Sequence, residues 1–465
     1  MLFNSPAFIF LFLPMTWVIY FFLTQRKLLM LSKFFLLAAS LFFYAWWNIR
    51  YLPLMIMSIA INYAIADYLM HTRSREHTLN IRKLFFVIGL AFNIGLLGFY
   101  KYTDFMISNV NFAFGQTFQP LHLMLPLAIS FFTIVQIAYL VDMYEGLAYE
   151  KRFVDYALFV TYFPHLIAGP IVHHKDLIPQ FNKKRNAFVN WENISKGLLI
   201  FIIGLFKKVV IADTFALWAN AGFTSGAMPG LTGAWLTALS YTFQLYFDFS
   251  GYSDMAIGGS LLFNIRLPIN FNSPLSARNI IDFWNRWHIT LSRFITTYIY
   301  SPIVRSMKTL NFGMLMLGIL ITMTISGIWH GSAWTFIVWG VVHGAALVIN
   351  HTWHRQKKIK LPAGVDWLLT FLFVTAAFVI FRAPTLSVAG HILGGMVGFN
   401  GLGGFGAAPM AAVSAGILVI LFAKNTQAIA ETFRPTWTYA FTLGLTFIIA
   451  LVLMNGESEF LYFRF

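Results

Sequence analysis

Long apolar stretches recur along almost the whole chain, and short polar segments separate them. A membrane-spanning helix needs about 20 apolar residues at 1.5 Å each. Stretches near or above that length lie near 6–24, 28–47, 51–70, 84–100, 122–141, 153–172, 197–214, 230–263, 311–330, 332–350, 364–382, 407–424 and 437–455. The stretch 230–263 is too long for an ordinary span, so it predicts one long tilted helix or a broken pair. The pattern predicts an all-α, polytopic transmembrane bundle.

Basic residues between these stretches predict the orientation of the chain. Arg26 and Lys27 follow the first stretch, and a second block between Arg73 and Lys83 follows the third. Loops rich in lysine and arginine stay in the cytoplasm, which favours an outside N-terminus. The stretch 153–172 departs from the alternation because basic residues lie on both sides of it, and it contains Pro164, His165, Gly169 and Pro170. We expect a re-entrant segment there.

The composition supports one integral-membrane domain over residues 1–465. Of the residues, 58% are hydrophobic and only 11% are charged, against roughly 25% charged in a soluble protein. Met1 to Thr24 lacks a basic start and a cleavage site, so we expect a retained first helix. The net charge of +15 lies in blocks beside the apolar stretches, where it sets topology and meets anionic membrane lipid. Attraction of an anionic acyl donor is the alternative, and no nucleic acid is expected.

The absence of cysteine excludes a thiol nucleophile and a covalent thioester on this chain. No metal is expected either, because the close histidine pairs lie in basic segments without suitable carboxylates.

His330 is the most informative single residue. The segment from Thr309 to His354 contains no Lys, Arg, Asp or Glu. An ionisable side chain inside a membrane segment is a candidate functional residue. Basic residues before 311 and after 354 predict a two-helix hairpin with His330 at its recessed far tip, beside Trp329. His330 is then a general base near neutral pH, or a structural histidine bonded to a backbone carbonyl.

Two further histidines have candidate roles. His343 lies on the return helix of the predicted hairpin, where it either bonds a neighbouring carbonyl or contacts the donor. His288 lies near Trp284, Arg286 and Trp287. This aromatic and basic mixture suits an anionic donor or, alternatively, an interfacial helix.

Asp248 and Ser250 are polar residues beside an apolar run, and they are candidates for the donor site. A carboxylate in this setting must be paired, hydrated or protonated. We expect Asp248 to orient a histidine or to pair with Arg266 or Arg286.

These residues fall into longer segments that resemble the membrane-bound O-acyltransferase (MBOAT) family, closest to the membrane subunit of bacterial alginate O-acetyltransferases and related polysaccharide O-acetyltransferases. The two histidine motifs are Phe283 to Ser292 and Trp329-His330-Gly331. The other matching segments are Met1 to Ser5, Phe8 to Pro14, Phe43 to Trp47, Phe163 to Pro170, Gln244 to Ala256 and Phe460 to Phe465.

The resemblance implies a helical bundle with re-entrant segments around a central tunnel. It implies that His330 is the catalytic histidine and His288 the second motif histidine. It also implies acetyl transfer from a cytoplasmic thioester, with acetyl-CoA as co-substrate and no resident cofactor. The acceptor is then an extracytoplasmic hydroxyl, on a polysaccharide such as alginate, cellulose or peptidoglycan or on an SGNH-type partner protein, and the location is a bacterial inner membrane.

One segment departs from the alginate relatives. Tyr298 to Arg305 lacks the Gly-Gly-Asn-Arg sequence that follows the first motif there, which leaves the polymer and partner open. D-alanyl transfer from a carrier protein toward teichoic acid is an alternative within the family. A transporter with a histidine proton relay is a second alternative, although the chain shows no internal repeat.

Overall fold

The computed structural model describes residues 1–73, 79–150, 152–167, 169–224, 228–356, 361–404, 406–454 and 461. Within these residues the regular structure is helical, without a strand, so the all-α prediction is confirmed. Several residues of the predicted features lie outside this description, namely Ala168, Phe460 and Tyr462 to Phe465. The chain divides into two compact units, and the single integral-membrane domain stays a prediction.

The first unit comprises Met1–Phe201 and Ser253–Pro268. Its helices are Ala7–Phe12 continuing into Leu13–Gln25, Leu29–Ala45, Leu52–His71, Leu79–Phe114, Ile129–Glu145, Phe153–Thr161, Phe163–Leu166 and His174–Asn182.

The second unit comprises Ile202–Tyr252 and Ile269–Phe465. Its helices are Asp213–Gly222, Ile280–Arg286, Ile289–Ile295, Ser301–Ser306, Phe312–His330, Trp334–Gln356, Ala363–Arg382, Leu386–Met396, Ala407–Phe422, Thr426–Thr432 and Trp437–Val452. Two further helices, Trp191–Phe206 with its continuation Lys207–Ala212 and Leu231–Leu261, have residues in both units.

Six helices among the described residues are long and apolar enough to cross a membrane. They are Ala7–Gln25, Ile49–His71, Leu79–Phe114, Phe312–His330, Trp334–Gln356 and Gly364–Arg382. A seventh candidate is Ala407–Phe422 with Thr426–Thr432, which bends by 49°. The prediction of a polytopic bundle is therefore confirmed.

Several predicted boundaries were wrong. The stretch 84–100 is part of one 36-residue helix, Leu79–Phe114. The stretch 122–141 becomes helical only at Ile129, because Pro120 and Pro126 interrupt the segment before it. The long stretch 230–263 forms one continuous helix, Leu231–Leu261, which is the first of its two predicted forms.

The stretch 153–172 does not form a spanning helix. A nine-residue helix, Phe153–Thr161, ends at Tyr162, and a single turn, Phe163–Leu166, follows. Nine residues rise only about 14 Å, and Pro164 prevents simple continuation. The break excludes one continuous spanning helix here, and the re-entrant form stays a prediction.

Aromatic packing and a few satisfied polar pairs hold the first unit together. Phe8, Phe43 and Phe163 are buried and their rings are in mutual contact. Lys33 and Asp155 form a buried ion pair with 2.6 Å between Nζ and Oδ1. Buried charges are tolerated when they are paired in this way.

A tightly packed helical hairpin dominates the second unit. Phe312–His330 and Trp334–Gln356 lie side by side and are joined by only three residues. Gly340 permits this approach, because a Cβ atom there would lie 2.5 Å from the Met323 carbonyl oxygen and 3.1 Å from the Gly327 Cα. Small residues allow helices to approach closely in membranes, where packing rather than hydrophobicity drives association.

Candidate functional site

His330 is the last residue of the first hairpin helix, as the hairpin prediction required. The side chain is buried, with 4% exposure. The His330 ring lies 4.9 Å from that of Trp329, 5.2 Å from that of Trp339 and 5.3 Å from that of Phe381. His330 therefore stands at the carbonyl end of its helix, among aromatic rings.

His343 lies near the same tryptophan, with 4.8 Å between the His343 and Trp339 ring centroids. Nε1 of Trp284 donates a hydrogen bond to Nδ1 of His343 at 3.3 Å. An accepting Nδ1 requires that the neutral ring carries its proton on Nε2. Within the described residues, the buried Nε2 has no hydrogen-bond partner. The Nε2–H group of His343 is therefore a buried donor without an acceptor among the described residues.

Aromatic rings connect His330 to His288 without interruption. His330 contacts Trp339, which contacts His343, and the ring centroid of His343 lies 6.3 Å from that of Phe283. The Phe283 ring lies 5.6 Å from the Trp287 ring, which lies 5.1 Å from the Phe271 ring. The Phe271 ring lies 6.5 Å from the ring of His288. We call this set the aromatic cluster, consisting of Phe271, Phe283, Trp284, Trp287, His288, Trp329, His330, Trp339, His343 and Phe381. All of its members belong to the second unit.

His288 precedes helix Ile289–Ile295 with a left-handed backbone, at φ 45°. Its ring is fully buried, and Nδ1 donates to Oδ1 of Asn270 at 3.1 Å. The Thr290 hydroxyl and backbone N–H donate to the same oxygen, at 2.9 and 3.3 Å. Because all three are donors, this assignment of the amide is consistent, and Nε2 of His288 is the unprotonated nitrogen.

The charge state of His288 follows from its burial. His288 lies outside the six candidate spans, and desolvation lowers its pKa from 6.5 to about 3. The imidazole is therefore neutral near neutral pH, which suits proton acceptance or hydrogen bonding rather than binding of an anion.

Asp248 is not paired with either predicted arginine. Its Oδ1 lies 2.7 Å from Nζ of Lys208, and its Oδ2 accepts the backbone N–H of Leu461 at 3.0 Å. Lys208 also pairs with Asp213 at 2.9 Å. Successive helical residues point about 100° apart, so the next residue, Phe249, is the one whose ring contacts His288, at 4.7 Å. Asp248 thus has a structural ion pair, and the prediction of its partners was wrong.

The other predicted donor-site residues divide into two groups. Trp284 and Trp287 are buried members of the aromatic cluster. Arg286 is partly exposed and pairs with Asp282, with 2.7 Å between Nε and Oδ1. Ser250 is buried, and its hydroxyl has no hydrogen-bond partner within the part of the chain that the structure describes.

Sequence reasoning missed Asn270 and gave Trp339 no role of its own. Asn270 stands in the short segment Ile269 to Ser273, which contains two asparagines between apolar residues. A buried amide in such a segment needs partners, but the sequence cannot say that His288 is one of them. The described residues also contain no group of three or more His, Asp or Glu side chains placed to hold a metal ion.

A family model named MBOAT, membrane-bound O-acyltransferase family, matches residues 10–383. The chain belongs to this family. Both histidine motifs of the aromatic cluster fall inside the matched range. Membership establishes an acyltransferase and a multi-pass membrane protein, so the transporter alternative is set aside.

Similar proteins span the whole chain. It is 42% identical to a peptidoglycan O-acetyltransferase of Helicobacter pylori, over all of this chain and 98% of that protein. It is 34% identical to a probable alginate O-acetylase, AlgI, of Pseudomonas putida, over the full length of both. A teichoic acid D-alanyltransferase of Streptococcus thermophilus is 30% identical over 50% of this chain and 58% of that protein.

Proposed function

We propose that this acyltransferase moves an acetyl group from a cytoplasmic thioester, acetyl-CoA, to an extracytoplasmic hydroxyl, and so serves the O-acetylation of a bacterial cell-envelope or secreted polysaccharide. The observation that carries the proposal is the continuous aromatic cluster that joins His330 to His288. Exclusion of water favours transfer to the acceptor, since activated water would otherwise compete with the acceptor hydroxyl for the acyl group.

The names of the full-length relatives support acetyl as the group and a polysaccharide as the acceptor. Peptidoglycan is the first polymer to test, because the relative of that name has 42% identity over the entire chain. The D-alanyltransferase resemblance covers only half of the chain, so D-alanyl transfer from a carrier protein ranks second.

His330 is the proposed general base. Its unprotonated nitrogen takes the proton of the acceptor hydroxyl while the oxygen attacks the thioester carbonyl. The carbon–sulfur bond then breaks, the acetyl–oxygen bond is complete, and the proton passes from His330 to the leaving thiolate. No acyl intermediate on a cysteine is needed, and the chain has no cysteine.

His288 and His343 have supporting roles in this proposal. Nε2 of His343, with its proton fixed by Trp284, is a donor suited to a carbonyl oxygen that gains negative charge. Nε2 of His288, with its proton fixed on the other nitrogen by Asn270, is an acceptor for a donor-side amide or hydroxyl. The aromatic rings between them supply apolar surroundings.

The acceptor on the outer side is proposed to be a serine of a separate SGNH-type acetyltransferase, or the polymer hydroxyl itself. A bacterial inner membrane is the proposed location, because acetyl-CoA is available on one side and the polymer on the other.

The experiment compares His330→Gln with His391→Gln, both placed in a strain that lacks the native chain. His391 is a partly exposed histidine of the same unit, on helix Leu386–Met396 and outside the aromatic cluster. Mass spectrometry of envelope glycans should show loss of acetyl groups for His330→Gln and normal acetylation for His391→Gln, at equal membrane levels. Normal acetylation with His330→Gln would refute the proposed base.

The donor is tested on the purified protein. Labelled acetyl-CoA should lose its acetyl group in the presence of the native protein and not in the presence of His330→Gln. Activity only with a D-alanyl carrier protein would replace the acetyl proposal with the D-alanyl one.

A further inference from the structure

A small cavity opens beside the end of the first candidate span. Its volume is about 200 Å³, and all of its lining residues belong to the first unit. Apolar residues, among them Leu29, Met30 and Phe181, form one part of the lining. Cationic residues form another part, namely Lys33, Arg152, Lys183 and Lys184. The cavity is therefore amphipathic.

The charge of the cavity is positive and uncompensated at its surface. No acidic residue is among its described lining residues. Lys33 is buried and neutralised by Asp155 at 2.6 Å. Within the described residues, Arg152, Lys183 and Lys184 form no ion pair. Three cations thus surround a space that an anion can enter.

The position of the cavity fixes its depth relative to the membrane. The candidate span Ala7–Gln25 ends beside it, and Tyr20 and Thr24 of that span are lining residues. The Thr24 hydroxyl donates to the Ala187 carbonyl at 2.8 Å, which holds the basic turn Lys184–Ala187 against the end of the span. The end of a span marks the level of lipid phosphates.

Exposed apolar residues outside the cavity extend the apolar part of its lining. Phe22, Leu28 and Leu31 are each about half exposed, at 56%, 47% and 51%. In a membrane protein such residues face acyl chains. A lipid whose phosphate occupies the cavity can therefore lay its chains on this surface.

A neighbouring cavity provides a contrast. It has a volume of about 460 Å³, and its lining includes Lys183 but also Asp176, Glu192 and several amides. Its lining is polar and contains both signs of charge, which does not suit the boundary between a phosphate and acyl chains.

We propose that the smaller cavity binds the phosphate of an anionic phospholipid, with the headgroup between Arg152, Lys183 and Lys184 and the chains along the exposed end of the first span. Basic pockets between helices on the cytoplasmic side hold anionic headgroups through charge and hydrogen bonds. The site is independent of the acyl-transfer chemistry.

Native mass spectrometry of the purified full chain tests this site with added phosphatidylglycerol. The double variant Lys183→Gln/Lys184→Gln should retain the lipid about 30-fold less well than the native protein. The matched control Lys83→Gln/Lys175→Gln removes the same charge from exposed positions of the same unit that do not line the cavity, and it should retain the lipid like the native protein. Equal loss in both variants would overturn the proposal.

Two further arms identify the source of the phosphate. Phosphatidylcholine with the same chains should bind the native protein more weakly, and the double variant should not alter its binding. Inorganic phosphate should not displace phosphatidylglycerol, and displacement would show a soluble-anion site instead. Should the double variant fail to fold, Arg152→Gln replaces it, with an expected loss of about fivefold.

Discussion

The indole Nε1 of Trp284 donates a hydrogen bond to Nδ1 of His343, with 3.3 Å between the two nitrogens. Trp284 belongs to the first histidine motif, and His343 lies on the return helix of the hairpin that carries the second. The bond thus connects the two motifs and selects the His343 tautomer whose proton is on Nε2.

Replacement of Trp284 by phenylalanine keeps an aromatic ring and removes this donor. We expect a stability loss of about 1 kcal/mol and a clear fall in acetyl-transfer rate, because His343 is no longer held in one tautomer. Trp235→Phe is the matched control, since its indole donates to the Met396 carbonyl at 3.0 Å in the same unit. Similar rates for the two variants would argue against a role for the His343 tautomer.

Asn270→Leu should destabilise the protein by about 3 kcal/mol. The change leaves the buried Nδ1–H of His288 and the hydroxyl of Thr290 without their shared acceptor, and each such group costs about 1–3 kcal/mol. Thr290→Val removes only one donor and should cost about 1 kcal/mol. Intrinsic tryptophan fluorescence can follow thermal unfolding in detergent. Equal losses for the two variants would contradict the central role of Asn270.

Gly340→Ala should weaken the hairpin by about 1–3 kcal/mol, as overpacking does. The new Cβ atom would lie 2.5 Å from the Met323 carbonyl oxygen, which is backbone and cannot move aside cheaply. Gly390→Ala is the control, because a Cβ atom there meets nothing within 4 Å. It should stabilise its helix slightly, since alanine has the higher helix propensity. The same thermal-unfolding measurement should therefore show shifts of opposite sign.

Asp248→Leu should lower stability by about 3 kcal/mol, because it leaves the buried Lys208 ammonium with only part of its compensation. The double variant Asp248→Leu/Lys208→Met removes both charges and should recover part of that loss. The KM for the proposed donor, acetyl-CoA, should stay close to the native value in the double variant. A large rise in KM with native stability would instead place Asp248 at the donor.

Much of the site was predictable from local pattern. The charge-free run around His330, with basic residues on both sides, predicts a hairpin with His330 at its tip, and the structure has that hairpin. The motif Phe283 to Ser292 likewise identifies Trp284, Trp287 and His288, which all lie in the aromatic cluster. These features were accessible because hydropathy and charge act over one or two helices at a time.

Polar pairings were less predictable, as Asp248 illustrates. A carboxylate beside an apolar run certainly needs a partner, and two arginines were reasonable choices. Lys208 is the partner because helix Leu231–Leu261 directs Asp248 toward it, while Phe249, one residue later, faces His288. A rotation of about 100° per residue decides which of two neighbours meets the site.

The sequence by itself determined the membrane-embedded helical class, the family and the identity of the two motif histidines. Only the tertiary structure decided which nitrogen of each supporting histidine carries a proton. Asn270 fixes His288, and Trp284 fixes His343, through bonds between segments distant in the chain. Hydropathy patterns record how much of a segment is buried, whereas a hydrogen bond depends on the positions of two atoms that only folding brings together.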